Sequence, residues 1–513
     1  MRVKRALISV SDKTGLIDFA RQLHSMGVEI VSTGGTMKTL RESGIPVIYV
    51  SDVTGFPEIM DGRVKTLNPH VHGGILAIRD NPEHVHAMQQ HGIIGIDLVV
   101  VNLYPFRQTI AKVDVTLEEA VENIDIGGPA MIRAAAKNFR YVTVVVNPSR
   151  YGQILSELVE NGGTSEVTRM SLAKEAYDHT SSYDAAITNY LSRQLGEEQF
   201  PSTLHLIYEK NQNLRYGENP HQQAAFYREC SEEAVGIANA RQLHGKELSF
   251  NNIVDLEAAY ALAAEFEDPA AFIIKHTNPC GSAQGASLYE AFDKAYQADP
   301  ISAFGGIVGV NRPLDQATAE KISTIFIEAV IAPAYSEEAL TILTQKKNIR
   351  LIEAELPQAS RKAYDLKRIS GGLLVQDADV FDTERQEMKV VTKRQPDDSE
   401  WREMLFAWKV VKHVKSNAIV ISRNGQSLGV GAGQMNRVGS AAIALEQAGP
   451  KAIGAVMASD AFFPFGDTVE AAAKAGIRAI IQPGGSVRDG ESIQMADQYG
   501  IAMVFTGTRH FKH

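Results

Sequence analysis

Lysine and histidine stand side by side at Lys275-His276. Together these two types can place a fixed positive charge and a proton acceptor at one point. The apolar run before them, Ala270-Ala271-Phe272-Ile273-Ile274, has the length of a buried strand. Thr277-Asn278-Pro279-Cys280-Gly281 reads as a Pro/Gly-containing turn, so the pair sits at a strand's exit. Most Lys-His pairs are solvated surface, and a chemical role depends on what the rest of the chain brings to them.

A second set of reactive types lies near the other end. Asp125 stands just before Gly127-Gly128-Pro129, which opens a helix with Pro near its first position, and Lys137 stands near that helix's end. An Asp and a Lys brought to one pocket can poise each other for proton transfer. The plainer alternative is a dipole partner for Asp125 and a solvated Lys137. Arg63, Lys65 and Thr66 read as polar groups around a phosphorylated ligand. His70 and His72 follow, but no Glu or Cys at a suitable spacing completes a metal site, so no metal is read here.

These residues need elements to hold them. A strand at 6–10 leads into Ser11-Asp12-Lys13-Thr14-Gly15 and an amphipathic run at 16–23. A second strand at 28–31 feeds Ser32-Thr33-Gly34-Gly35-Thr36 and a helix at 37–42. Strand, Gly/Ser/Thr turn and helix aim backbone N–H groups at an anion. Neither turn has P-loop spacing. A third strand at 96–101 ends in Asn102-Leu103-Tyr104, and that position favours ligand contact by Asn102 and Tyr104. The pattern implies a βα-repeating, mostly parallel sheet.

The C-terminal half supplies further binding types. Arg215-Tyr216 suits a phosphate and a stacked base. Gly305, in a Gly-Gly turn, lets backbone approach a ligand. Glu328, in an apolar stretch, needs a partner if buried. Asn424-Gly425 signals a hairpin flanked by Asn417 and Arg437, which could face one pocket. Phe462 belongs to an aromatic cluster interrupted by Pro464, suited to stacking on flat rings.

With 513 residues the chain is too long for one core, so two or more domains are expected. The net charge of −10 argues against a nucleic-acid binder but leaves room for local phosphate sites. Two cysteines are too few for a disulfide framework and fit a reducing, cytoplasmic setting. No apolar stretch has the length of a membrane span or of a signal-peptide core. Pro279-Cys280 invites comparison with zinc nucleobase deaminases, which use Pro-Cys-x-x-Cys with an upstream His-x-Glu. Here the second cysteine position is Ala283 and no His-x-Glu precedes it. No internal repeat is legible in the residues of the second half.

Ser-Val-Ser-Asp-Lys-Thr-Gly at 9–15, Ser-Thr-Gly-Gly-Thr at 32–36, Arg-Val-Lys-Thr-Leu at 63–67, Asn-Leu-Tyr-Pro-Phe at 102–106 and Ile-Asp-Ile-Gly-Gly at 124–128 resemble the inosine monophosphate (IMP) cyclohydrolase half of the bifunctional purine biosynthesis family. Leu-Arg-Tyr-Gly-Glu-Asn-Pro-His at 214–221 and the Lys275-His276 segment resemble its phosphoribosylaminoimidazolecarboxamide formyltransferase half. The resemblance implies an α/β fold. Its N-terminal domain would be a methylglyoxal-synthase-like parallel sheet at 1–147. A helical connector at 148–200 would lead to two cytidine-deaminase-like units without zinc at 201–513. It implies formyl transfer from 10-formyltetrahydrofolate to the aminoimidazole carboxamide ribonucleotide, then dehydrative closure to IMP, without a metal and in a homodimer.

Position by position, the resemblance makes Ser11, Lys13, Thr33, Gly34, Gly35, Thr36, Arg63, Thr66 and Asn102 substrate contacts of ring closure. Lys137 would carry the proton, with Asp125, Lys65 and Tyr104 beside it. Arg215, Tyr216, Gly305, Glu328, Asn417, Arg437, Phe462 and Arg509 would hold the ribonucleotide for formyl transfer, with His276 as base and Lys275 meeting the developing charge. Val438, Asp467, Ser486 and Val487 would face the folate. The family usually has His where this chain has Asn68, and some members carry Asp in place of Glu328. Domains of the methylglyoxal-synthase type also serve as effector-sensing modules, which leaves nucleotide binding without catalysis as the contrasting expectation for the first domain.

Overall fold

The computed structural model describes residues 2–112, 114–196, 200–230, 235–357, 363–380 and 385–513. The chain forms two compact units, Met1–Ile207 with Cys230–Glu233, and Tyr208–Glu229 with Ala234–His513.

The first unit is built on five short strands: β1 (Arg5–Ser9), β2 (Glu29–Ser32), β3 (Ile48–Tyr49), β4 (Leu98–Val101) and β5 (Thr143–Val145). All neighbours are parallel, in the order β3-β2-β1-β4-β5. The central strands are apolar without alternation because helices cover both faces. The order reverses at β1, which opens a crevice beyond the carboxyl ends of β1 and β4. The helices Tyr151–Asn161 and Glu166–Leu195 fall in the stretch read as a connector. They contribute Ile154, Leu158, Leu172, Tyr183 and Tyr190 to this unit's buried core.

The second unit opens with an antiparallel hairpin, β6 (Tyr208–Leu214) and β7 (Ala224–Glu229). Then come β8 (Arg241–His244), β9 (Ala270–Lys275), β10 (Asn278–Gln284), β11 (Ile307–Val310), β12 (Ala329–Ala332) and β13 (Arg350–Glu353), paired in the order β10-β9-β11-β12-β13-β8. A second hairpin, β14 (Tyr364–Ile369) with β15 (Gly372–Asp377), precedes another six strands. These are β16 (Lys389–Val390), β17 (Ile419–Ser422), β18 (Ser427–Gly431), β19 (Val456–Ser459), β20 (Ala479–Gln482) and β21 (Ala502–Phe505), in the order β16-β21-β20-β19-β17-β18.

Read from its other end, the second order reproduces the first, with the same alternation of parallel and antiparallel pairs. The unit is therefore an internal duplication, which the residues alone did not reveal. In each copy a helix with a capping box follows the first strand, Phe250–Ala263 in one and Asp398–Lys412 in the other. These two helices and the inner faces of both sheets share one core, including Leu256, Phe272, Trp408, Val420 and Ile481.

The segment after Lys275-His276 differs from the expected Pro/Gly turn. His276 and Thr277 make the reversal themselves at φ 51° and 65°, and Asn278 already begins β10. Pro279 is tolerated because β10 is an edge strand with a bulge between Pro279 and Gly281. Cys280 is thus a strand residue whose thiol, pushed up to about 12 by burial, donates to the carbonyl of Ile273 at 3.3 Å. Gly281 is needed for close approach, since a Cβ there would meet the carbonyl oxygen of Ala295 at 2.0 Å. Gly429 on β18 makes the same approach to Ala444 at 2.0 Å, one repeat later. Gly281→Ala is therefore expected to push the helix off the sheet and destabilise the second unit by about 1–3 kcal/mol, read as a lower thermal midpoint.

Candidate functional site

In the first unit the expected phosphate contacts converge beyond β1, β2 and β4. The carboxamide oxygen of Asn102 accepts from the N–H groups of Ser11 and Asp12 at 2.6 and 2.9 Å, tying the β1 turn to the end of β4. Thr33 bonds Ser9 through their hydroxyls at 2.7 Å, and the Thr36 hydroxyl accepts from Val10 N–H at 3.0 Å. Gly34 begins the helix Gly34–Glu42 directly after β2, with Thr33 at its N-cap. A Cβ on Gly34 would lie 3.9 Å from the Lys65 ammonium, and one on Gly127 would lie 2.6 Å from the Thr66 hydroxyl. Lys65 and Thr66 thus stand at two helix N-termini, Gly34–Glu42 and Gly127–Lys137. Glu58 balances Lys65 at 3.8 Å, while Arg63 is drawn to Glu122 on the surface. The side chain of Lys13 reaches back to the carbonyl of Ser11 at 3.5 Å.

Asp125 accepts from Gly128 N–H at 2.8 Å, and the backbone N–H of Tyr104 lies near it. Burial raises its carboxyl above the usual carboxylate range, against the pull of those N–H groups and of Lys65. Tyr104 itself is exposed. Lys137 is also exposed, at the last position of the helix that Asp125 precedes. A helix of 11 residues separates the two, roughly 16 Å along its axis. Asn68, where the family usually has His, caps the helix Pro69–Leu76 by accepting from His70 N–H at 2.9 Å.

In the second unit one cluster gathers at the end of β9. The Lys275 ammonium donates to the carbonyls of Phe304 at 2.8 Å and Gly305 at 3.1 Å. His276 is exposed on its left-handed turn. Asp255, on the helix Phe250–Ala263, holds that turn by accepting from Thr277 N–H at 2.7 Å. Glu328 finds the partners its apolar setting demands, accepting from Asn252 at 2.9 Å and facing Arg350 at 3.8 Å. Neighbouring Asn251 donates to the carbonyl of Glu218 at 3.4 Å, which draws the Arg215-Tyr216 loop to the same helix start. The Arg215 guanidinium lies over the Tyr216 ring, 5.6 Å from its centre.

The other cluster gathers at the carboxyl ends of β18, β19, β20 and β21. Its centre is Asp460, 0% exposed, which pairs with Arg437 and Ser416 and accepts from Ala418 N–H at 3.1 Å. Arg437 also donates to the carbonyl of Ala418 at 3.2 Å, and Asn417 donates to that of Gln434 at 2.7 Å. The C-terminal segment is pinned here. Ser416 N–H donates to Lys512 at 2.9 Å, and His510 N–H donates to Asp460 at 3.0 Å. Arg509 is exposed, its guanidinium 4.7 Å from the Phe511 ring centre. Phe462, Val438, Asp467 and Val487 are exposed around this rim, and the Ser486 hydroxyl shapes its turn by accepting from Arg488 N–H at 3.1 Å.

The two clusters meet at one edge. An antiparallel bridge joins Ala283 of β10 to Gln426, just before β18, so the start of β10 lies beside the end of β18. Asn278 there accepts from Lys415 N–H at 2.9 Å. Asp460, Asp255 and Asn252 were not singled out from the residues. Asp460 had a signal, since it directly follows Val456-Met457-Ala458-Ser459 at the carboxyl end of a strand. Asp255 and Asn252 had none, because their value depends on where their helix lies.

A family model described as AICARFT/IMPCHase bienzyme matches residues 135–447, and one described as MGS-like domain matches residues 15–130. The chain is 58% identical over 510 residues to the bifunctional purine biosynthesis protein PurH of Bacillus mycoides (strain KBAB4), covering 99% of this chain and 100% of that protein. The PurH protein of Bacillus cereus (strain B4264) matches with the same figures, and that of Bacillus anthracis is 57% identical over the same shares. The chain belongs to the AICARFT/IMPCHase family. It is a bifunctional enzyme of the last two steps of purine biosynthesis, aminoimidazole carboxamide ribonucleotide formyltransferase and IMP cyclohydrolase, with 10-formyltetrahydrofolate as co-substrate. Membership replaces both the deaminase and the effector-module alternatives. Among the described residues no group of three or more His, Cys, Asp or Glu is placed to hold a metal, and no helix is long and apolar enough to cross a membrane. The two family models meet between residues 130 and 135, whereas the first compact unit continues to Ile207.

Asp460→Ala would leave the Arg437 guanidinium buried without its counter-charge. The expected result is a loss of about 3–5 kcal/mol from the second unit, seen in chemical denaturation, together with loss of formyl transfer.

Proposed function

We propose that the first unit closes the purine ring and the second transfers the formyl group. In the second unit the exocyclic amine of the ribonucleotide attacks the formyl carbon of 10-formyltetrahydrofolate. That amine is a weak nucleophile, because its lone pair is delocalised into the ring and carboxamide. His276 takes the proton it loses. Lys275 meets the negative charge that grows on the formyl oxygen, and the folate nitrogen leaves protonated. The observation that carries this reading is the fixed pair itself. The Lys275 ammonium is held by two carbonyls, at 2.8 and 3.1 Å, beside an outward His276. Arg215, Tyr216, Gly305, Glu328, Asn417, Arg437, Phe462 and Arg509 hold the ribonucleotide. Val438, Asp467, Ser486 and Val487 face the folate.

In ring closure the carboxamide nitrogen adds to the formyl carbon, giving a carbinolamine that then loses water. Ser11, Lys13, Thr33, Gly34, Gly35, Thr36, Arg63 and Asn102 anchor the ribonucleotide phosphate side. A carboxyl whose ordinary range is raised by burial can stay protonated long enough to protonate the departing hydroxyl, and Asp125 has that setting. Lys65, Thr66 and Tyr104 orient the reacting groups around it. Lys137 takes the role of proton carrier that the resemblance gives it. The protein works as a cytoplasmic homodimer in this reading, supported by the two-cysteine composition and by the resemblance. Light scattering at twice the 55.9 kDa chain mass is expected, and a monomer mass would overturn it.

Lys275→Ala and His276→Ala are expected to lower formyl transfer by roughly 10²–10⁴-fold while sparing ring closure. An unchanged transfer rate in either variant sinks the assignment. A Met1–Ile207 fragment is expected to close the ring without folate, and a folded but inert fragment counts against the division between units.

A further inference from the structure

We infer that Tyr183, on the long helix Glu166–Leu195, positions Asp125 for ring closure by bridging the backbone on either side of its turn. The Tyr183 hydroxyl accepts from Asp125 N–H at 2.9 Å and donates to the carbonyl of Asn123 at 2.9 Å. The ring is buried and meets Phe106 edge-on at 6.1 Å. Phe106 ends the segment that carries Tyr104. Tyr183 therefore touches both strands of chain that frame the Asp125 carboxyl.

The Asp125 carboxyl is oriented by the backbone N–H of Gly128 at 2.8 Å, with Lys65 nearby. Its direction is then only as good as the placement of the backbone beneath it. The one side chain that holds the Asp125 amide comes from residue 183, 58 positions away. Removing the hydroxyl leaves a half-buried N–H and a half-buried carbonyl without their partner, and the turn relaxes to find others. A shift of about 1 Å at a reacting group can lower turnover as much as 10²-fold. Tyr183 lies outside the residues matched by the MGS-like model and inside those matched by the bienzyme model. The inference assigns this helix to the cyclohydrolase centre.

The same helix supplies a matched control. Tyr190 stands two turns further on, also packs its ring on Phe106 (5.7 Å), and its buried hydroxyl meets no partner among the described residues. The inference rests on the proposed role of Asp125, so Asp125→Asn is measured alongside. In the full-length enzyme, Tyr183→Phe is expected to lower kcat for ring closure by about tenfold or more. KM for the formylated ribonucleotide and the formyl-transfer rate stay unchanged, and Tyr190→Phe matches the parent. Three results overturn the inference: a parental kcat in Tyr183→Phe, a joint change of kcat and KM, or an equal loss in Tyr190→Phe. If Asp125→Asn keeps full ring closure, the reading of Asp125 falls and takes the inference with it. If Asp125→Asn is inert while Tyr183→Phe is parental, only the inference falls.

Discussion

A single buried carboxylate, that of Asp460, carries most of the geometry of the second unit's site. A charge with no exposure has to be compensated on the spot, because its desolvation is worth several kcal/mol. Arg437, the Ser416 hydroxyl and the Ala418 amide supply that compensation, Ser416 and Ala418 from one segment and Arg437 from another. Satisfying one carboxylate therefore draws together the chain before β17, the helix after β18 and the loop after β19. The C-terminal residues join through His510 N–H on the Asp460 carbonyl and through Lys512 on Ser416. A terminus that would fray on its own is ordered by that ladder.

The internal duplication shows what this charge changes. The residue at the matching place in the first repeat is Asn311, directly after β11. Its amide N–H bonds the carbonyl of Ala270 at 3.4 Å and its side-chain oxygen accepts from Ala270 N–H at 2.8 Å, as Asp460 does with Ala418. The difference lies in the other side-chain atom. The NH2 group of Asn311 donates to the carbonyls of Phe266 and Asp268, at 2.6 and 2.8 Å, and fastens a loop across the strand ends. A carboxylate cannot donate. Asp460 takes a guanidinium and a hydroxyl instead, and so gathers the side chains of Arg437 and Ser416 rather than a closing loop. The two repeats share a backbone solution and differ in whether that edge is tied shut by carbonyls or organised around a charge.

Much of this was legible in the residues. The strand–turn–helix units at 11–15 and 32–36, the apolar β9 before Lys275-His276 and the Asn424-Gly425 hairpin all follow from local periodicity and turn chemistry, and the structure has them. The duplication was not legible, because what is repeated is the order and direction of strands, which places no demand on residue identity beyond apolar runs. The turn expected at Pro279-Cys280-Gly281 failed because Pro and Gly have a second use at a sheet edge. There a missing N–H is harmless, and a missing side chain lets a helix approach.

The meeting of β10 and β18 sets which ends of the two repeats lie on one edge. Because these edge strands run antiparallel where they touch, the amino ends of β11 and β12 fall on the same side as the carboxyl ends of β19 and β20. Equivalent positions of the two repeats thus point to opposite ends of the unit. The edge that carries Lys275-His276 is built from the first repeat's amino ends, where Gly305 and Glu328 stand. The edge that carries Asn417, Arg437 and Phe462 is built from the second repeat's carboxyl ends. Unlike ends of two like sheets thus lie along one edge, joined where Asn278 accepts from Lys415 N–H.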